Sequence, residues 1–410
     1  MLFRDVIGQE EVKQQLVEMV QHNRLSHALL FLGKEGSGTL PLALAFASYI
    51  ACLPKESELS SATSEDLFGS ISHQPVSLPG SASEADARME NHNSFSKTKG
   101  MVHPDLHYSY PVITKKSGTP PLSSDYISEW REFIGQYPYG NVFDWLQFIG
   151  AENKQGNITA QECNDIIRKL SLKSFESGYK ILVMWMPEYL GKEGNKLLKL
   201  IEEPPADTLF ILVAESESSI LSTILSRCQL IKVPAIDPAD IENALVKRSN
   251  CDPSQARLLA NTSEGNYREA LNLLQHADED FHNLLKDWLN ATLKNIPISQ
   301  VKTIEEIARL GREKQKQFIK YFIHLIEGAV RLESGGAVME AMLEKSMSAA
   351  EKEFSSRLNK AMNFEQKEAL AGELDKASYY IERNANAKIL FHALTIKIFH
   401  IVKNNIVVSA

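Results

Sequence analysis

The sequence predicts an α/β domain built on a parallel sheet, followed by all-α segments, and three observations carry that reading. Short apolar runs stopped by turn residues have the profile of buried strands: Leu29-Leu30-Phe31-Leu32, Lys180-Ile181-Leu182-Val183-Met184, Leu209-Phe210-Ile211-Leu212-Val213 and Leu230-Ile231-Lys232-Val233. Helical patterns separate the runs, the alternation that produces a parallel sheet covered on both faces. Beyond Asp237 the pattern is helical to the end of the sequence.

The elements follow in order. An Ile7-Gly8-Gln9-Glu10 turn leads into a helix with Val12, Leu16, Met19 and Val20 at steps of three and four. After the first strand come Gly33, Gly36 and Gly38, then an apolar helix over 40–52, giving strand, glycine loop, helix. In 53–100, 11 of 48 residues are Ser and no apolar period persists, so this stretch reads as a flexible insertion that buries too little to offset its ordering entropy. Order is expected to return near His103-Pro104-Asp105-Leu106-His107. Residues 161–173 read as a helix with Ile166, Ile167 and Leu170 on one face. A second helix through Asn195, Leu197, Leu198 and Ile201 stops at Pro204-Pro205, because the residue before a proline avoids the helical region. The expected division is a sheet domain over 1–235, a small helical lid over 236–280, and a helical domain over 281–410 with amphipathic helices that include 315–332 and 386–403.

The 410 residues carry 44 Lys+Arg against 52 Asp+Glu, a formal charge of −8. The balance is uneven: residues 281–410 hold 19 Lys+Arg and 15 Asp+Glu, leaving 25 against 37 in 1–280. This excludes a surface coated in positive charge for nucleic acid and leaves only local cations for such contact. The longest apolar run, 40–53, has 14 residues and falls short of the roughly 20 that span a bilayer. Four scattered cysteines (Cys52, Cys163, Cys228, Cys251), without a CxxC, make neither a disulfide framework nor a close-spaced metal site. With no basic-then-apolar leader pattern after Met1, a reducing, cytoplasmic setting is expected.

The glycine loop Gly33-Lys34-Glu35-Gly36-Ser37-Gly38-Thr39-Leu40 stands where a phosphate-cradling P-loop would, but that chemistry needs Lys then Ser/Thr at the end of the loop. Thr39 fills the Lys slot, and Leu40, which cannot ligate a metal, fills the hydroxyl slot. Lys34 lies at the wrong end, and Glu35 would repel a triphosphate. The second requirement, acids after a buried strand to hold Mg²⁺ and polarise water, meets Trp185-Met186-Pro187 instead. Two independent lesions point to lost hydrolysis. A self-sufficient ATPase with an atypical loop, and a stand-alone nucleic-acid scaffold, stay open on the residues alone.

These residues resemble the clamp-loader branch of the AAA+ superfamily. The resemblance rests on Ile7-Gly8-Gln9-Glu10, Ser26-His27-Ala28-Leu29-Leu30-Phe31, the glycine loop, His103-Pro104-Asp105, Asn195-Lys196-Leu197-Leu198-Lys199 through Glu202-Glu203-Pro204-Pro205, and Ser226-Arg227-Cys228. It implies an AAA+ type sheet domain, a lid and a C-terminal helical collar that assembles with other subunits. It further implies a non-hydrolysing part of the DNA polymerase III holoenzyme that helps load a sliding clamp onto primed DNA, beside gamma/tau-type ATPase subunits and a delta subunit, with no membrane partner.

Within that resemblance Arg227 matches an arginine finger that reaches a neighbour's ATP site, with Ser226 and Cys228 shaping its turn; a forked, permanent cation suits a transferring phosphoryl group. The residues alone equally allow an arginine that caps a helix or pairs with an acid. Arg268, in Gly265-Asn266-Tyr267-Arg268, matches the lid arginine called sensor 2, either as a residual nucleotide contact or as a structural ion pair. Gly33, Gly36, Gly38 and Thr39 are what remains of the nucleotide loop, and no cofactor is expected, ATP being bound by neighbouring subunits. The family's four-cysteine zinc module is reduced to Cys52, which His103 and His107 could join only poorly across Pro104. Arg168, Lys169 and Lys173 are the candidates for contact with a DNA backbone, although a solvated helix face explains them equally.

Overall fold

The computed structural model describes residues 1–54, 78–115, 120–151, 154–275, 281–333, 335, 347, 349–383 and 385–404. Two compact units form, one from 1–256 with 263–272, the other from 257–262 with 273–410.

The first unit is centred on a five-stranded parallel sheet of β1 (Ala28–Leu32), β2 (Leu106–Ser109), β3 (Lys180–Trp185), β4 (Thr208–Ala214) and β5 (Gln229–Lys232), in the order β2-β3-β4-β1-β5. Its apolar residues alternate between two cores, as the two-residue period of a strand requires. Leu29, Phe31, Ile181, Val183, Trp185, Leu209 and Ile211 join one core; Ala28, Leu30, Leu182, Met184, Phe210 and Leu212 join the other. Both faces are therefore covered, the arrangement natural to a parallel sheet.

Helices α1 (Glu10–Gln21), α2 (Thr39–Ala51), α3 (Ala82–Glu90), α4 (Phe95–Lys99), α5 (Ile127–Gln136), α6 (Val142–Phe148), α7 (Ala160–Leu170), α8 (Asn195–Glu202) and α9 (Ser222–Leu225) surround the sheet. Helix α2 is buried along its whole length. Helix α6 begins at a capping box in which Asn141 and Asp144 each accept the other's backbone N–H, satisfying two donors that a helix start otherwise leaves free. Next come α10 (Pro238–Ser249), started by the Asp237 cap and Pro238, then α11 (Pro253–Thr262) and α12 (Tyr267–Gln275).

The second unit holds α13 (Phe281–Leu293), α14 (Pro297–Arg309), α15 (Arg312–Glu333), α16 (Ala349–Ala361), α17 (Phe364–Glu382) and α18 (Ala387–Asn404). Its core gathers Leu285, Trp288, Phe318, Phe322, Leu374 and Phe391. The indole N–H of Trp288 finds the Thr395 hydroxyl at 2.9 Å, so this fully buried ring leaves no polar atom unmatched. Among the described residues no helix is long and apolar enough to cross a membrane.

Two expectations need correction. The structureless insertion over 53–100 holds for no more than part of its length: 55–77 lie outside the described residues, while α3 and α4 are formed helices. Ala85 and Met89 of α3 are fully buried in the first core, and Asp86 accepts the backbone N–H groups of Phe3 and Arg4 at 2.7 and 2.9 Å. The helix expected over 161–173 ends at Leu170. The buried carboxylate of Asp105 draws the N–H groups of Phe175, Glu176 and Ser177 to 2.6–2.7 Å, fixing the chain there as a loop rather than a further helical turn. Residues 276–280 of the expected lid also lie outside the described residues.

Candidate functional site

The glycine loop joins β1 to α2, as its spacing predicts, and it is closed by its own chain. Gly36 and Gly38 have φ of 71° and 87°, a region open to glycine at little cost. A Cβ on Gly36 would lie 1.8 Å from Asn266 Oδ1, so the chain before α12 sits directly on the loop. The Tyr267 N–H donates to the Gly36 carbonyl at 3.2 Å. Gln9 Nε2 donates to the carbonyls of Ser37 at 3.0 Å and Pro234 at 2.7 Å. Thr39, in the Lys slot, is buried and shares a 2.8 Å hydrogen bond with the Ser37 hydroxyl, and Leu40 is buried in the core. Lys34 is exposed.

Arg268 is buried and held by two carboxylates. Its Nε and NH2 take Asp144 Oδ2 and Oδ1 at 2.5 and 2.7 Å, a bidentate pair, and NH1 takes Glu35 Oε1 at 3.0 Å. Asn141 Nδ2 donates to Glu35 Oε2 at 3.0 Å. Of the two roles weighed for Arg268, the ion pair is the one its guanidinium makes, with Glu35 of the glycine loop itself as a partner. Beside it Tyr139 is buried; its hydroxyl accepts the Ile7 N–H at 2.7 Å, its ring meets Tyr267 edge-on at 4.9 Å, and burial pushes its phenol up to about 12. Tyr139, Asn141 and Asp144 have no signature in the sequence that ties them to a loop a hundred residues earlier.

The space beside the loop is bordered by Lys34, Gly38, Tyr139, Trp185, Ala214 and Glu215. Trp185, where an acid would hold Mg²⁺, turns into an aromatic cluster, 5.2 Å from Trp130 and 6.2 Å from Phe133 between ring centres. Glu188 is the next acid along the chain. Its Oε1 is spent on the N–H groups of Glu215 and Ser216 at 2.7 and 3.0 Å, and burial raises its carboxyl above the usual range. These residues do not fit a magnesium nucleotide: Thr39, in the Lys slot, is bonded to the Ser37 hydroxyl, Leu40 and Trp185 offer no metal ligand, and the loop's own acid faces the arginine.

At the far end of β4, helix α9 leads to Ser226-Arg227-Cys228. Arg227 NH1 donates to the Thr223 carbonyl at 2.6 Å and contacts the Ser226 hydroxyl at 3.2 Å, and NH2 pairs with Glu202 at the end of α8. Both plain roles, helix cap and ion pair, are thus made within this chain. Burial pushes the Cys228 thiol up to about 11, so it is no activated thiolate.

On α7, Arg168 and Lys169 both pair with Asp165, the acid one turn before them, at 2.5 and 2.6 Å, which offsets part of their charge. Lys173 is exposed in the loop beyond the helix and so stands apart from their face. Among the described residues no group of three or more His, Cys, Asp and Glu side chains is placed to hold a metal. His103 Nδ1 is engaged by the Asp105 N–H at 3.2 Å, and burial brings the His107 imidazole down to about 4.

The family described as DNA polymerase III, delta subunit matches residues 8–76 and 82–237. The delta' subunit of DNA polymerase III from Bacillus subtilis (strain 168) is 27% identical over 265 residues, 65% of this chain and 59% of that protein. The tau subunit of the same organism is 24% identical over 290 residues, 69% of this chain and 39% of that protein. A gamma subunit from Buchnera aphidicola (subsp. Schizaphis graminum) is 32% identical over 144 residues, 34% of this chain and 39% of that protein. The matches thus span about two fifths to three fifths of the length of these relatives. Among solved structures, a DNA polymerase III gamma subunit-related protein from Thermotoga maritima aligns over 97% of this chain and 100% of that chain at 12% identity, with a TM-score of 0.37. The Bacillus subtilis clamp loader delta protein aligns over 94% of this chain and 98% of that chain at 10% identity, with a TM-score of 0.28.

Proposed function

We propose that this chain, which belongs to the DNA polymerase III delta-subunit family, is a delta-prime-type, non-hydrolysing subunit of a replicative clamp loader. It takes a fixed place beside tau/gamma-type ATPase subunits and a delta subunit, presents Arg227 to a neighbour's ATP, and helps place a ring-shaped clamp on primed DNA. In this reading 1–235 is the AAA+ body, 236–280 the lid and 281–410 the collar. Arg168, Lys169 and Lys173 supply any contact with the DNA backbone, at most a few phosphates' worth of salt-dependent affinity.

The single observation that carries the non-hydrolysing role is the Glu35–Arg268–Asp144 cluster. A lid arginine that would meet a triphosphate is bidentate on one carboxylate and bonded to a second, which comes from the glycine loop. A triphosphate entering here would have to displace two acids from a buried guanidinium and would meet Thr39 in the Lys slot and Trp185 at the metal position. The purified chain titrated with Mg-ATP should show neither tight binding nor turnover. Micromolar binding with turnover would overturn this reading in favour of a self-sufficient ATPase.

A further inference from the structure

We infer that Glu202 is a positioning residue for Arg227, holding its guanidinium ready for an acceptor from another subunit; this deepens the proposed role in trans and rests on it. The backbone on both sides is fixed. Glu202 ends α8, where Pro204-Pro205 stops the helix; the preceding Ile201 is buried, and its carbonyl meets His27 Nε2 at 2.9 Å. Helix α9 lies against the start of α8, where a Cβ on Gly194 would come within 3.0 Å of Leu221 and 3.3 Å of Ile224. Only the two side chains are left to move.

The donors of Arg227 can be counted. A guanidinium has five N–H groups. NH1 donates to the Thr223 carbonyl and the Ser226 hydroxyl, and NH2 makes an ion pair with Glu202 Oε1. Among the described residues Nε makes no hydrogen bond, and the edge formed by Nε and the adjacent NH2 is the one a bidentate oxyanion takes. The side chain is one-third exposed, so a ligand from outside the chain can reach it. Capping a helix as short as α9 needs the Thr223 contact alone. The Glu202 contact instead removes rotamers from a side chain with four rotatable bonds and fixes the direction of its fork. The ligand chemistry is that of a phosphoryl group carried by another protein, held by the unused edge while Glu202 and Thr223 keep the other contacts.

The test uses the complex reconstituted with its ATPase subunits, clamp and primed DNA, carrying Arg227→Ala, Glu202→Gln, Glu202→Asp or the Arg227→Ala/Glu202→Gln pair. Arg227→Ala lowers the DNA-stimulated kcat. Glu202→Gln lowers it roughly three- to tenfold, the scale of a lost orientation, with KM for ATP and subunit co-elution unchanged. Glu202→Asp regains part of the loss, and Glu202→Gln adds nothing once Arg227 is gone. An unchanged kcat for Glu202→Gln, or an equal penalty in both backgrounds, overturns the positioning role while the Arg227→Ala loss leaves the finger standing. No effect of Arg227→Ala overturns both.

Discussion

Replacing Arg268 with Ala perturbs a charge cluster whose cost can be worked from its geometry. The arginine side chain is 6% exposed, whereas Glu35 and Asp144 keep 28% and 23% of theirs. Removing one member of a fully buried pair costs about 3–5 kcal/mol, because the other charge is left unpaired. Here water reaches both orphaned carboxylates, which screens them, and about 2 kcal/mol is the reasonable expectation. For a domain of 150–250 residues each kcal/mol moves Tm by about 2–4 °C, so the variant should melt about 4–8 °C lower in a calorimetric or circular-dichroism scan. The sign of the second substitution is the sharper test. Glu35→Gln and Asp144→Asn each destabilise the native protein, yet in the Arg268→Ala background each should be neutral or stabilising, since it removes a charge that has lost its arginine. Equal penalties in the two backgrounds, or an Arg268→Ala shift below about 1 °C, would refute the claim that these three residues act as a unit.

Asp86→Ala leaves the N–H groups of Phe3 and Arg4 without their acceptor. With Phe3 buried, a loss of about 2 kcal/mol should appear as a lower urea midpoint at constant m; a loss under about 0.5 kcal/mol would mean that α3 is only loosely attached. His107 sets a pH dependence. Burial holds its imidazole at about 4 against an ordinary 6.5, so between those values the unfolded chain binds more protons than the folded one. Its contribution is complete above pH 6.5 and is lost as the pH falls through about 4. Tm plotted against pH should be flatter over that window in His107→Gln, and an unaltered slope would remove burial of this group as its cause.

The sheet was legible where a strand carried a continuous or nearly continuous apolar run. The runs at 29–32, 180–184, 209–213 and 230–233 fall on β1, β3, β4 and β5. The missed strand, β2, reads Leu106-His107-Tyr108-Ser109, so polar residues interrupt it and no apolar run marks it. Helix α3 was hidden by composition: serines flank it and only Ala85, Asp86 and Met89 are buried. Its Ser81 cap, which accepts the Glu84 N–H, was the available signal, since Ser followed three residues later by Glu marks a helix start. The lesions at Thr39, Leu40 and Trp185 could be read from the motif. What fills the site could not, because Tyr139, Asn141 and Asp144 reach Ile7, Glu35 and Arg268 over separations of 106 to 132 residues, and no local spacing encodes that.

Substitution at the metal position has a structural counterpart that explains why the site is closed rather than merely incomplete. A carboxylate at 185 would have to sit among Trp130, Phe133 and the other rings of the first core, where an unpaired charge is costly. Trp185 instead adds its area to that core, and the loop it once would have served is held by contacts that need no ligand: Gln9 to Ser37, Tyr267 to Gly36, Arg268 to Glu35. This partner of Arg268 is covalently part of the glycine loop, so the start of α12 is held on that loop whatever the nucleotide concentration. Under the proposed non-hydrolysing role, this site carries no nucleotide signal of its own. Under the proposed role, what the chain contributes to a neighbour's chemistry comes from its surface, and Arg227, held by Thr223 and Glu202 and one-third exposed, is the group proposed for it.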